Sequence, residues 1–74
     1  MKTILDFHAK KLNHEKISMV TCYDFSFAQI LAQTQVDCLL VGDSLSMTMH
    51  GHSTTLNAST AMMAVHTAAV ARGA

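Results

Sequence analysis

The sequence predicts an α/β fold: a short amino-terminal helix followed by two strand–helix units whose strands run parallel. Three observations carry that prediction. Two short, mostly apolar runs, Ile17–Cys22 and Cys38–Val41, are bounded by polar turn signals, as buried strands are. Two further stretches, Phe25–Gln33 and Thr60–Arg72, repeat apolar residues at helical spacing. Strand, helix and strand in one span make a βαβ unit, which is expected to be right-handed.

In chain order, Thr3 is placed to cap a helix over Ile4–Leu12, with Leu5, His8 and Leu12 on one face. Lys10 and Lys11 suit the carboxyl-terminal end of that helix. Asn13–Lys16 is a polar connector, so residues 1–16 precede the two units in residues 17–74. The first strand, Ile17–Cys22, is mostly apolar and is expected to be covered on both faces. Asp24 is a good cap for the next helix, where Phe27, Ile30, Leu31 and Thr34 share a face and Ser26, Gln29 and Gln33 point away. The second strand follows Gln35–Asp37. From Gly42 to Ala58 the chain reads as a loop, long enough in a compact domain to be functional or disordered. Ser59 can cap the last helix, with Met63, His66, Thr67 and Val70 on its inner face, and Gly73 suits its stop.

Seventy-four residues allow one small domain at most. A chain near this length buries only about 60% of its unfolded surface. Two short parallel strands leave open edges and cannot bury both faces. The simplest expectation is therefore the opening of a larger α/β protein, the first two units of a (β/α)8 TIM-type barrel, which has eight such units in ~250 residues. Alone, the chain is expected to aggregate or to pack loosely.

Half of the residues are apolar, as in a globular chain, and the net charge is zero, which gives no electrostatic case for nucleic acid or an anionic membrane. Met1–Asp6 lacks the apolar core of a signal peptide, and no run approaches the ~20 apolar residues that span a bilayer. Cys22 and Cys38 fall at opposite edges of a parallel pair, beyond disulfide reach, and are expected to be reduced thiols in a cytoplasmic protein.

The chemistry concentrates where the second strand ends, at Gly42-Asp43-Ser44. Gly42 lets the backbone turn or approach a ligand closely. Asp43 then lies just past the carboxyl end of a buried strand, where parallel α/β folds keep their ligand sites. Two roles fit it: a turn cap for downstream amides, or a ligand for a metal or substrate. Ser44 divides the same way. One carboxylate with neighbouring hydroxyls suits a hard cation such as Mg2+, which takes one or two protein carboxylates and completes its shell with substrate and water.

Other residues carry weaker signals. Asp24 shares the rim but is first a helix cap, and Tyr23 reads as a partly buried aromatic beside it. His50-Gly51-His52 offers too few ligands for zinc, with neither cysteine nearby in sequence, so these read as satisfied loop histidines. His66 reads as a core histidine. The six methionines are scattered and suit core filling. No phosphate-binding glycine loop or nucleophile elbow occurs.

Thr21-Cys22-Tyr23-Asp24, Leu40-Val41-Gly42-Asp43-Ser44-Leu45, Gly51-His52, Thr55-Leu56 and His66-Thr67-Ala68-Ala69-Val70 occur in order. Together they resemble the amino-terminal part of the ketopantoate hydroxymethyltransferase family, whose members are also called 3-methyl-2-oxobutanoate hydroxymethyltransferases. The likeness runs over Ile17–Ala74. It implies a (β/α)8 barrel that transfers a hydroxymethyl group from 5,10-methylenetetrahydrofolate to 3-methyl-2-oxobutanoate, giving ketopantoate for pantothenate and coenzyme A. It implies that Asp43 is a Mg2+ ligand and that Asp43 and Ser44 contact the keto acid. It also implies a homo-oligomeric full-length enzyme. The family's other acidic ligands, its lysine and its glutamate base match no residue here, so no catalytic residue is assigned and the 74 residues alone are expected to be inactive. Three departures stand out. Ser46 replaces a usual glycine and is expected to strain or stiffen the loop. Asn57 replaces a proline, and Met62 stands where an acidic capping partner is common. Two other readings remain: a barrel of the phosphoenolpyruvate mutase and isocitrate lyase type, or a non-catalytic remnant that acts by association.

Overall fold

The computed structural model describes residues 2–74; Met1, the first residue of the segment tested for a signal peptide, lies outside them. Along the chain run α1 (Ile4–Leu12), β1 (Met19–Thr21), α2 (Phe25–Ala32), β2 (Cys38–Leu40), α3 (Leu45–Thr48), a 3-10 turn at Thr55–Asn57 and α4 (Thr60–Gly73). The architecture is α/β. The strands are parallel, with Met19 opposite Cys38 and Thr21 opposite Leu40. No helix among the described residues is long and apolar enough to cross a membrane.

Helix α1 has the predicted bounds because both ends are defined locally. Asp6 Oδ2 accepts from the Thr3 N–H at 2.7 Å and Thr3 Oγ1 accepts from the Asp6 N–H at 3.4 Å, a reciprocal capping box. The helix ends without a glycine. His14 adopts φ 55°, while the Glu15 N–H reaches Lys10 O at 2.9 Å and the His14 N–H reaches Lys11 O at 3.3 Å. That is a Schellman stop with histidine in the left-handed position that glycine usually fills. The predicted inner face is not buried: Leu5, His8 and Leu12 are all exposed, and Phe7 is half-buried instead. Periodicity assigns a face, but a face is buried only where a partner surface meets it.

Asp37, placed by the sequence only as the residue before the second strand, fastens α1 to the sheet. It is 3% exposed. Its Oδ2 accepts from the Ser18 N–H at 2.8 Å and the Ser18 hydroxyl at 3.2 Å, and Ser18 Oγ accepts from the Asp37 N–H at 3.1 Å. Its Oδ1 makes no hydrogen bond of good geometry and faces the ammonium groups of Lys2 and Lys10, each at 3.2 Å. The Ser18 N–H holds the Asp37 carboxyl well below the usual carboxylate range; burial opposes this, and Lys2 and Lys10 reinforce it.

Both strands are shorter than predicted. The expected coverage of β1 on two faces is corrected, because Met19 is 60% exposed and Val20 and Thr21 are exposed too. What is buried is small: Cys22, Ala28 and Val70 pack together, with Leu31, Leu39 and Val41 against them. Cys22 and Cys38 are free thiols, as expected.

The face of α2 also differs from the prediction. Ala28 is fully buried and Leu31 half-buried, while Phe27 and Ile30 are exposed. The reason lies across the interface. A Cβ on Gly73 would sit 2.7 Å from Phe25 O and 2.8 Å from Ala28 Cβ. So α4 approaches α2 backbone to backbone, and small residues are buried there rather than the large ones. Gly73 is thus the last residue of α4 and a contact residue, beyond the stop signal predicted for it. On α4, Met62, Met63, His66, Ala69 and Val70 turn inward, but Thr67 is exposed. Ser59 Oγ accepts from the Met62 N–H at 3.1 Å, so the predicted cap forms with methionine at the acidic partner's place.

The stretch 42–58 is ordered rather than a plain loop. Leu45 and Ser46 are fully buried in α3. Ser46 does not sit at a positive φ, and its hydroxyl donates to Thr54 O at 2.9 Å. Of the two effects expected from serine there, stiffening is the one the structure contains.

Candidate functional site

Because β1 and β2 are parallel and in register, the segments that follow them leave the sheet at the same end. Tyr23 and Asp24 follow β1, and Gly42, Asp43 and Ser44 follow β2. Strand direction places the residues after β1 and β2 at one end of the sheet, although about twenty residues of sequence separate them.

Asp24 is committed as a cap. Its Oδ2 accepts from the Phe27 N–H at 3.1 Å at the amino end of α2, as predicted. Asp43 differs. The turn it occupies is closed by main-chain bonds alone, from the Leu45 N–H to Gly42 O at 3.2 Å and from the Ser46 N–H to Asp43 O at 3.1 Å. Its side chain is exposed, and no donor among the described residues hydrogen-bonds its carboxylate. The cap role that the sequence left open for Asp43 has no counterpart in this geometry. Gly42 is not at positive φ, and a Cβ there would lie 3.9 Å from Leu40 Cγ, an ordinary contact. The turn itself does not demand glycine.

Ser44 stands at the cap position of α3, yet its side chain makes no cap bond. Its hydroxyl pairs instead with the Tyr23 phenol, half-buried at the end of β1. By sequence, Tyr23 reads only as an aromatic lining the rim. Its sole signal there is position, one residue before a helix cap and just past a strand.

The histidines sort by geometry. His66 Nδ1 lies 2.5 Å from the Tyr23 carbonyl oxygen, and His66 Nε2 lies 2.9 Å from His50 Nε2. A carbonyl only accepts, so His66 carries a proton on Nδ1; in the neutral ring its Nε2 then accepts, and His50 donates from Nε2. His50 is thus a satisfied loop histidine, and His66 is inward-facing, both as expected. His52 is exposed. Among the described residues no cluster of three or more His, Cys, Asp or Glu side chains is arranged to hold a metal. These residues therefore offer a cation one free carboxylate at the rim, a fit for a hard ion whose remaining ligands come from elsewhere.

A cleft of about 420 Å³ opens beside the rim, with Thr21, Cys22, Tyr23, Phe27 and Met49 in its wall. Neither Asp43 nor Ser44 lines it, and its one carboxylate, Asp24, is engaged as a cap.

The sequence model of the ketopantoate hydroxymethyltransferase family matches residues 1–74. The chain belongs to that family. It is 68% identical over 74 residues to a 3-methyl-2-oxobutanoate hydroxymethyltransferase of Bdellovibrio bacteriovorus, covering all of this chain and 28% of that protein. It is 59% identical over 69 residues to the protein of the same name from Coxiella burnetii, covering 93% of the chain and 26% of the relative. For a Legionella pneumophila relative the figures are 56% over 70 residues, 95% and 27%. The chain thus spans little more than a quarter of the length of these relatives and corresponds to their amino-terminal part. Family membership favours the hydroxymethyltransferase reading over the phosphoenolpyruvate mutase type.

Proposed function

We propose that this chain supplies the amino-terminal part of a 3-methyl-2-oxobutanoate hydroxymethyltransferase and carries one half-site of its keto-acid and metal centre. Residues 1–16 form the leading helix and connector, and residues 17–74 the first two units of a single (β/α)8 barrel domain. The exposed faces of β1, α1 and α2 are the surfaces the rest of that domain covers. The proposed reaction moves a hydroxymethyl group from 5,10-methylenetetrahydrofolate to 3-methyl-2-oxobutanoate, in a cytoplasmic homo-oligomer.

The observation that carries the proposal is Asp43: a carboxylate at the carboxyl end of a parallel strand, exposed and without a donor among the described residues, beside a serine hydroxyl. Asp43 would give a carboxylate oxygen to Mg2+, and Ser44 would hydrogen-bond an oxygen of the keto acid. The ion, when bound, supplies the Lewis acidity that makes the C–H next to the keto group more acidic. The chain's own residues bind and orient; none is positioned as the base, so the isolated chain is expected to be inactive.

The test joins residues 1–74 to the remaining length of the Bdellovibrio relative and assays ketopantoate formation. Asp43→Asn keeps size and one acceptor but removes the charge. A fall in kcat/KM of about 100-fold, partly recovered at high Mg2+, is expected, in line with several kcal/mol of lost charge stabilisation. Full activity of Asp43→Asn at low Mg2+ would rule out the ligand role.

A further inference from the structure

Helix α3 is held at both ends by one residue that lies outside it. Ser44, at its start, pairs through its hydroxyl with the Tyr23 phenol. His50, just past its end, donates to His66 at 2.9 Å, and His66 Nδ1–H donates to the Tyr23 main-chain carbonyl at 2.5 Å. The two imidazoles meet edge to face at 87°. Gly51 at φ 76° reverses the chain immediately after His50. Tyr23 thus grips the start of α3 by its side chain and, through a histidine relay, the end of α3 by its backbone.

We propose that Tyr23 is a positioning residue for Ser44, orienting the serine hydroxyl toward an acidic ligand, and that His66 fixes Tyr23 in the place where it can do so. The inference rests on the reading of Ser44 as a keto-acid contact. A carboxylate or keto oxygen only accepts, so Ser44 must donate to it. That leaves the phenol O–H to donate to Ser44 Oγ, which spends one serine lone pair and directs the serine proton outward. A serine at a helix start ordinarily turns back onto the amides of that helix. Here it does not: Ser44 holds helical backbone angles, φ −60° and ψ −13°, in which the side chain cannot cap, and its hydroxyl meets the phenol instead.

The joined enzyme tests this. Tyr23→Phe keeps the ring and removes the donor; KM for 3-methyl-2-oxobutanoate should rise roughly 10-fold with kcat nearly unchanged, the size of one hydrogen bond to a charged group lost from uniform binding. Ser44→Ala should raise the same KM at least as far, and adding Tyr23→Phe to it should change nothing more, because Tyr23 acts only through Ser44. His66→Ala should mimic Tyr23→Phe, whereas His66→Asn, whose amide N–H stands near the Nδ1 position, should restore the lower KM. An unchanged KM in Tyr23→Phe beside a raised KM in Ser44→Ala overturns the positioning role and leaves the substrate reading intact. Independent, multiplying effects in the double variant overturn it as well. No effect of Ser44→Ala overturns the substrate reading of Ser44 and this inference together.

Discussion

The two ends of β2 carry the same residue type in opposite states. At the amino end Asp37 is buried, takes hydrogen bonds from Ser18 and faces Lys2 and Lys10. At the carboxyl end Asp43 is exposed and unengaged among the described residues. A carboxylate surrounded by donors has no coordination left to offer, whereas one kept at an open rim does. In parallel α/β folds the carboxyl end is the side where ligands bind, and the opposite end serves stability. The difference teaches that one side chain reads as structure or as chemistry according to which end of a strand it occupies and how many donors are already spent on it.

That contrast can be broken by exchanging the consequences of the two residues. In the joined enzyme, Asp37→Ala should destabilise more than any substitution at the rim, because it removes the buried acceptor of the Ser18 N–H and hydroxyl and the carboxylate that two ammonium groups face. A thermal melt indistinguishable from wild type would dissolve the distinction between the two ends.

Acid should act on the same end. The folded Asp37 carboxyl titrates below its ordinary value of 3.8, so its contribution is fully present above that value and is lost as the pH falls below it. Denaturant midpoints measured from pH 6 downward should owe nothing to Asp37 until the pH falls below its ordinary value and should decline there, and Asp37→Asn should flatten that decline. A decline of equal steepness in the variant would assign the acid sensitivity elsewhere.

A smaller effect sharpens the account of the stable end. His14 sits at φ 55° in the stop of the helix whose Lys10 faces Asp37. His14→Gly should stabilise by about 0.5–1 kcal/mol, relief of left-handed strain exceeding the added freedom of the unfolded chain. Unchanged or lower stability in urea unfolding would show the stop to be unstrained. Smallest of all, Asp43→Ala should leave stability within about 0.5 kcal/mol of wild type while activity collapses. A large drop in the same unfolding experiment would mean that Asp43 is a structural residue after all.

The order of α1, β1, α2, β2 and α4, the capping roles of Thr3, Asp24 and Ser59, and the place of Asp43 and Ser44 past β2 were legible in the sequence. Each depends on residues within a few positions of one another, where local hydrogen bonding and strand periodicity act alone. Tertiary structure decided the rest. Phe27 and Ile30 match an inner face by spacing, yet Ala28 is buried because Gly73 lets α4 come within backbone contact of α2. Leu45 and Ser46 carry no periodic signal, yet they are buried by the short α3 that folds back against the 3-10 turn. Asp37 is only the residue before a strand until Ser18, Lys2 and Lys10 converge on it, and Tyr23 looks like lining until Ser44 and His66 reach it from distant parts of the chain. Burial and polar satisfaction are properties of pairs far apart in sequence, and only the assembled strands and helices say which pairs those are.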